Sequence, residues 1–344
     1  MKLLNVNIMA DLSTKYLGIN LKNPIIMGAS NLSTDLEKLK KLEDSGVSAV
    51  VYKSLFEEQI QLESTQMDEE LTEFDERHPE MISTHPNIEH GGPKEHLHNL
   101  EKAKKSLNIP LIASLNAIYK ETWIEYVQKI EGTGVDALEL NFYHIPYSFE
   151  KSGKQIENEQ LDILKEIKKN VSIPVSVKMS PFYSNTLNFI RNMDDIHVDG
   201  FVLFNRFFEP EINIDKEEHS FPFNLSNKGD YKLPLRYAGL LYDNIKGDIC
   251  SSTGIYTGRD VLRLILAGAD CTQVVSSVYI NKFEHIGRML DEMQNWMSDK
   301  GYDKLDDFRG KLSRENVSSP FVYKRAQYVD ILMHPEEIIK QYKF

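Results

Sequence analysis

Residues 248–277 read DICSSTGIYTGRDVLRLILAGADCTQVVSS, and the fold follows from how this stretch divides. A short apolar run ends in Ser251-Ser252-Thr253-Gly254, a capped helix runs from Thr257 to Ala267, and a second strand, Thr272–Val275, ends in Ser276-Ser277. Small residues at strand ends let backbone N–H groups approach an anion beside a helix N-terminus. Two such strands with one helix between them are the expected form of the seventh and eighth units of a (β/α)₈ barrel that binds a phosphate at its C-terminal face. Six more strand–helix units are then required upstream.

The chain supplies them. Apolar runs that read as strands occur at Asn23–Ala29, Val47–Tyr52, Ile109–Leu115, Val135–Leu140, Ile173–Val177 and Gly200–Phe204. Helical segments separate them, the first capped by Ser33 or Thr34 and ended by Gly46. Two connections are too long to be bare links, residues 55–92 and 206–232, and they read as excursions over the barrel mouth. The predicted architecture is an α/β (β/α)₈ TIM barrel forming a single domain over residues 1–344. Its core spans about 20–300, and the tail from about 300 to 344 packs under the barrel or across a neighbour. A doubly wound open sheet is the competing architecture; the count of eight units favours the barrel.

Composition narrows the partners. A net charge of −12 argues against a nucleic-acid surface, which needs basic clustering. No apolar run approaches the roughly 20 residues that span a bilayer, and the start of the chain is a poor signal peptide, with Met9 an alternative first residue. The two cysteines, Cys250 and Cys271, fall inside predicted core strands and read as buried reduced thiols of a cytoplasmic protein. Five histidines, at 78, 85, 90, 96 and 98, match no metal-ligand spacing, so no metal is expected. The acidic run Glu57–Glu80 reads as solvated.

Polar residues recur at the C-terminal ends of the strands: Ser30, Lys53, Asn116, Asn141, Lys178, Asn205 and Thr253. In a barrel these ends converge on one mouth, which makes them candidate active-site groups. Lys53 and Lys178 carry the most information. A lysine there forms a Schiff base, holds a phosphate or stabilises negative charge on a cofactor ring; the structural alternative is a snorkelling lysine at the edge of the core.

Taken in order, NPIIMGAS, YKS at Lys53-Ser54, ALELN ending at Asn141, VSVKMSP around Lys178, FVLFN ending at Asn205 and the segment quoted first resemble the dihydroorotate dehydrogenase family of FMN-dependent barrels. The related flavin domains of dihydropyrimidine dehydrogenases show the same pattern. The resemblance covers roughly Leu12–Met297, and its specificity lies in the order and spacing of the pieces. It implies an FMN-dependent oxidoreductase acting on a CH–CH bond of dihydroorotate or a related dihydropyrimidine-like small molecule, with hydride passing to flavin N5. It also implies that Ala29 and Ser30 lie along the flavin and that Lys53 and Ser54 stand near its reactive edge. Asn116 joins the cofactor set, Asn141 contacts flavin and substrate, Lys178 sits by the N1/O2 side, and Asn205 faces substrate. Ser252, Thr253, Gly254, Ser276 and Ser277 hold the phosphate. Reduced flavin would pass electrons to a soluble acceptor or redox partner, and a homodimer is the expected assembly.

The chain departs from the family at the substrate side. Where the family carries a Ser-Cys-Pro-Asn type loop with a catalytic cysteine or serine, this chain reads Asn141-Phe142-Tyr143-His144-Ile145-Pro146, and His144 falls in the cysteine's place. Histidine takes a proton at neutral pH, so His144 is the candidate base, ahead of Tyr143 or no base at all, and against a loop histidine packed among Phe142, Tyr143 and Tyr147. The family's Asn-x-x-Gly-Leu type loop is replaced by residues 85–92, HPNIEHGG. Two other readings stand beside the first: a flavin-free lyase or aldolase using Lys178 or Lys53, and a non-catalytic barrel that binds FMN or a phosphate ligand.

Overall fold

A computed structural model describes residues 9–62, 92–145, 149–220 and 225–334, with 336 and 340. The described chain begins with an antiparallel hairpin, β1 (Thr14–Tyr16) and β2 (Ile19–Leu21). After it come β3 (Ile25–Met27), β4 (Ala49–Val51), the two-residue β5 (Leu55–Phe56), β6 (Leu111–Asn116), β7 (Ala137–Phe142), β8 (Val175–Met179) and β9 (Gly200–Leu203). A second antiparallel hairpin, β10 (Glu211–Asn213) and β11 (Glu218–Ser220), precedes β12 (Asp248–Ser252) and β13 (Cys271–Val274). Eight strands, β3, β4, β6, β7, β8, β9, β12 and β13, pair in that order, all parallel. β13 pairs back with β3, closing the barrel.

The helices on the outside are α1 (Leu36–Ser45), α2 (Pro93–Ser106), α3 (Lys120–Glu131), α4 (Gly153–Asn170), α5 (Thr186–Asp194), α6 (Lys232–Leu241), α7 (Gly258–Ala267), α8 (Ser276–Asn281) and α9 (His285–Lys300). Their ends are written in local chemistry. The Asp35 carboxylate accepts from the backbone of Glu37 and Lys38 at the start of α1, and Gly46, at φ 102°, ends it. Thr257 and Asp260 form a reciprocal capping box on α7. That helix buries Val261, Leu262, Leu264 and Ile265.

Strand parity divides the interior into two cores. One face of each strand points out to the helices, with Met27, Val50, Leu111, Leu138, Val177, Phe201 and Ile249 in a continuous apolar layer. The other face points into the bore. Near its N-terminal end Ile26, Ala49, Val51, Ile112, Ala137, Val202, Cys250 and Cys271 meet Tyr16, Leu17 and Leu21 of the first hairpin, which plugs that end. Gly200 makes the seat: a Cβ there would stand 2.7 Å from Leu17 Cδ2. Both cysteines are buried and free. Toward the other end the bore turns polar, with Ser114, Glu139, Ser176, Lys178 and Gln273 all buried. The site is built on that polar layer.

The second excursion and Glu57 differ from the sequence expectation. The second excursion carries the β10–β11 hairpin, an exposed ladder with no apolar alternation to announce it. Glu57, at the head of the acidic run, is buried rather than solvated; its carboxylate accepts from the Ile118 N–H and the Thr122 hydroxyl, both at 3.0 Å. Past α9 the chain packs beneath the barrel, where Trp296, Tyr302 and Phe308 form an aromatic cluster, and then forms α10 (Ala326–Met333). No helix among the described residues is long and apolar enough to cross a membrane.

Candidate functional site

At the C-terminal mouth a cavity of about 270 Å³ opens among the strand ends. Ten of the residues selected from the sequence line it: Ala29, Ser30, Lys53, Ser54, Lys178, Asn205, Ser252, Thr253, Gly254 and Ser276. Four do not: Asn116, Asn141, His144 and Ser277. Asn141 is tied to the wall indirectly, because its Oδ1 accepts from Asn205 Nδ2 at 2.7 Å. Ser277 is fully buried, and its hydroxyl has no partner among the described residues.

The β12 and β13 ends form a small-residue corner. Thr253 and Gly254 both take positive φ, 82° and 73°, turning the chain sharply after Ser252. A Cβ on Gly254 would sit 2.6 Å from the Tyr231 backbone nitrogen, so only glycine allows this approach. The Thr253 hydroxyl donates to the Phe204 carbonyl at 3.0 Å, fixing β12 to the end of β9. Ser276 Oγ accepts from the Ser226 N–H at 3.0 Å and lies 2.9 Å from the Ser226 hydroxyl. Tyr256 donates to the Ser226 carbonyl, so the end of the second excursion is pinned against this corner.

Beneath the cavity lies a polar network that strand-end reasoning missed. Lys178 Nζ donates to Gln273 Oε1 at 3.1 Å, Gln273 Nε2 donates to Glu139 Oε2 at 2.5 Å, and Glu139 Oε1 stands 3.7 Å from Lys178 Nζ. The signal was available as parity. Glu139 lies two residues before Asn141 on β7, and Gln273 is in register with Ser252, so both share the inward face. Arg206, Ser226 and Tyr279 also line the cavity without having been selected. Arg206 follows Asn205 directly and is held by Asp230 at 2.8 Å.

Lys53 has no acidic partner among the described residues, and its half-buried position pushes its ammonium pKa down. The neighbouring His96 is pushed down to about 4, first by burial and then by the Lys53 charge, so its ring is neutral at pH 7. Ser54 and Ser114 share a hydrogen bond of 2.7 Å one layer below. His144 lies on the loop after β7, partly buried; burial and then the charge of Lys151 lower its pKa below the ordinary histidine value. Beside it Tyr143 packs edge-on to Phe207, with centroids 4.7 Å apart, and its hydroxyl accepts from the Phe208 N–H at 3.1 Å. The β7 loop and the second excursion therefore touch across the mouth. Tyr147, residues 85–91, and the histidines at 78, 85 and 90 lie outside the described residues. Among the described residues no group of three or more His, Cys, Asp or Glu side chains is placed to hold a metal.

Compared with known proteins, residues 11–297 match the family model described as Dihydroorotate dehydrogenase. The chain is 26% identical over 300 residues to the dihydroorotate dehydrogenase B (NAD(+)) catalytic subunit of Methanocaldococcus jannaschii, covering 84% of this chain and 94% of that one. It is 25% identical over 307 residues to the subunit of the same name from Thermoplasma acidophilum, covering 88% and 99%. Chloroplastic dihydropyrimidine dehydrogenase (NADP(+)) of Arabidopsis thaliana is 25% identical over 328 residues, covering 87% and 76%.

Proposed function

Because this chain belongs to the dihydroorotate dehydrogenase family, oxidoreductases acting on CH–CH groups, we propose that it is an FMN-dependent enzyme built as one barrel unit, oxidising dihydroorotate or a related dihydropyrimidine-like substrate. One observation carries the reading: the small-residue corner Ser252–Gly254 with Ser276, and the two lysines Lys53 and Lys178, line a single cavity at the barrel mouth. The donor set suits an anionic cofactor, with hydroxyls and backbone N–H groups for a phosphate and an ammonium for a ring that gains negative charge. Bound FMN would supply the two-electron acceptor for hydride.

In this reading Ser252, Thr253, Gly254 and Ser276 hold the phosphate with Ser277 buried behind them, and Ala29, Ser30 and Ser54 belong to the flavin's surroundings, with Asn116 outside the cavity. Asn205 and Asn141, joined by their hydrogen bond, face flavin and substrate together with Lys53. His144 takes the substrate proton; its lowered pKa keeps the imidazole neutral and able to accept at pH 7. The Methanocaldococcus and Thermoplasma relatives are named for NAD(+), and a soluble acceptor or redox partner is the corresponding proposal here. The tie of Lys178 to Gln273 and Glu139 gives no support to a Schiff-base role.

The visible absorption spectrum of the purified protein tests the reading. Flavin bands that bleach anaerobically on adding dihydroorotate are the expected result. Bands unchanged by dihydroorotate but bleached by dihydrouracil move the substrate to the neutral dihydropyrimidines. A colourless protein that cannot be reconstituted with FMN overturns the proposal.

A further inference from the structure

The network under the cavity crosses the whole bore. Glu139 is on β7 and Gln273 on β13, four strands apart in the closed order and therefore on opposite walls, with Lys178 on β8 reaching between them. Glu139 and Gln273 are each 1% exposed and Lys178 is 8% exposed; Lys178 and Gln273 line the cavity, and Glu139 lies behind them. A buried carboxylate is costly unless a cation and hydrogen bonds compensate it. Among the described residues Lys178 is the one cation paired with Glu139.

The Gln273 amide can face only one way. Its nitrogen donates to the carboxylate and its oxygen accepts from the ammonium; reversed, it would set donor against donor and acceptor against acceptor. Room for this side chain comes from Gly28, where a Cβ would stand 3.3 Å from Gln273 Oε1 and 2.8 Å from Val275 Cγ2. Glu139 Oε1, 3.7 Å from Lys178 Nζ, has no hydrogen-bond partner among the described residues, so its attraction to the ammonium is electrostatic at a distance. Lys178 has three donors; one is committed to Gln273 and the carboxylate draws a second, which leaves one for the cavity.

From this geometry we infer that Glu139 and Gln273 are positioning residues that set the charge Lys178 presents to the cavity. The carboxylate, coupled through the amide, neutralises the ammonium from below. Lys178 then meets a ligand as an oriented hydrogen-bond donor and not as an uncompensated cation. For a bound flavin this makes reduction harder than a bare lysine would, because nearby positive charge favours the reduced, more negative form. That last step rests on the FMN reading above; the electrostatic coupling itself does not.

The test is Glu139→Gln, nearly isosteric and one charge poorer, beside Glu139→Asp, Lys178→Met and the double variant Glu139→Gln/Lys178→Met. In flavin-loaded protein, the midpoint potential of Glu139→Gln is expected to rise so that the reduced-to-oxidised ratio at a fixed potential grows at least tenfold, about 30 mV for two electrons. Glu139→Asp should return toward wild type, and the rise should vanish in the Lys178→Met background. An unchanged potential, or the same rise without Lys178, overturns the inference. Nuclear magnetic resonance of protein carrying ¹³C-labelled lysine, without flavin, gives a second reading. The Lys178 signal, assigned by its loss in Lys178→Met, should titrate at least tenfold more readily in Glu139→Gln; an unshifted titration overturns the inference on its own. If Glu139→Gln does not fold, the double variant against Lys178→Met, and Glu139→Asp against wild type, carry the comparison. A protein that takes no flavin refutes the FMN reading, and the lysine titration still decides this one.

Discussion

His144 stands where the chain parts from its relatives, and its chemistry is set by its loop. Burial and the nearby Lys151 charge hold its pKa below the ordinary value. If it takes the substrate proton, the acid limb of kcat/KM for dihydroorotate should fall below pH 6.5, since the base is already free there. The next helix, α4, begins only at Gly153, which leaves His144 in the loop itself. Glutamine at 144 should slow anaerobic flavin reduction by dihydroorotate about 10²-fold or more and remove that limb, with flavin content unchanged. Stopped-flow absorbance checks this; reduction at wild-type speed would move the proton to another group, with the half-buried Lys53 next in line. Residues at strand ends were legible because each ends an apolar run. Glu139 and Gln273 were legible only through parity, because each sits inside a run and pairing in the folded barrel decides which parity faces the bore.

Elements carry the small-residue corner proposed to hold the phosphate, and two glycines separate its strain from that proposed role. Gly254 and Gly18 have nearly equal backbone angles, φ 73° and 77°, but a Cβ on Gly18 meets nothing within 4 Å, while one on Gly254 strikes the Tyr231 backbone and Asp230. Alanine at 18 should cost about 1–2 kcal/mol, the penalty of left-handed backbone, and leave flavin binding alone. Alanine at 254 must displace the end of the second excursion, so it should lower Tm further and weaken FMN at least tenfold. Thermal melting and FMN fluorescence titration measure the pair; equal FMN affinity in both variants would refute a phosphate role for this corner. The β12–α7–β13 element was readable from 30 residues because cap, apolar spacing and strand ends agree. The β10–β11 hairpin was not readable, since Ile212 and Ile214 are exposed and no buried face imposes alternation. Glu57 was misread for a related reason: a charge run is solvated by default, and only the approach of α3 gives its first member two donors.

At the scale of the molecule, the barrel separates chemistry from stability, with the cavity at one end and a partly buried ion cluster at the other. Arg309, from the segment after α9, donates to the Ala269 carbonyl at 2.6 Å and to Thr14 Oγ1 at 2.9 Å, and lies 3.6 Å from Asp270. It therefore ties the tail, the plugging hairpin and the root of β13 together. Asp270 accepts from the Ile249 N–H at 2.7 Å, yet burial outweighs this bond and the arginine, raising its pKa from 3.8 to about 6. Between those values the folded chain holds a proton that the unfolded chain has released, so this group's contribution to stability falls as pH rises from about 4 to 6. The full change is at most about 3 kcal/mol. Asparagine at 270 keeps an acceptor for Ile249 and cannot ionise. Relative to wild type, its Tm should therefore improve steadily from pH 4 to pH 6 and level off above. Flavin content and the potential of bound flavin should not move, because Asp270 is at the root of the strand whose far end lines the cavity. Parallel melting curves across that range would show that Arg309 holds the carboxylate ionised throughout; a changed flavin potential would show that the two ends of the barrel are coupled through β13.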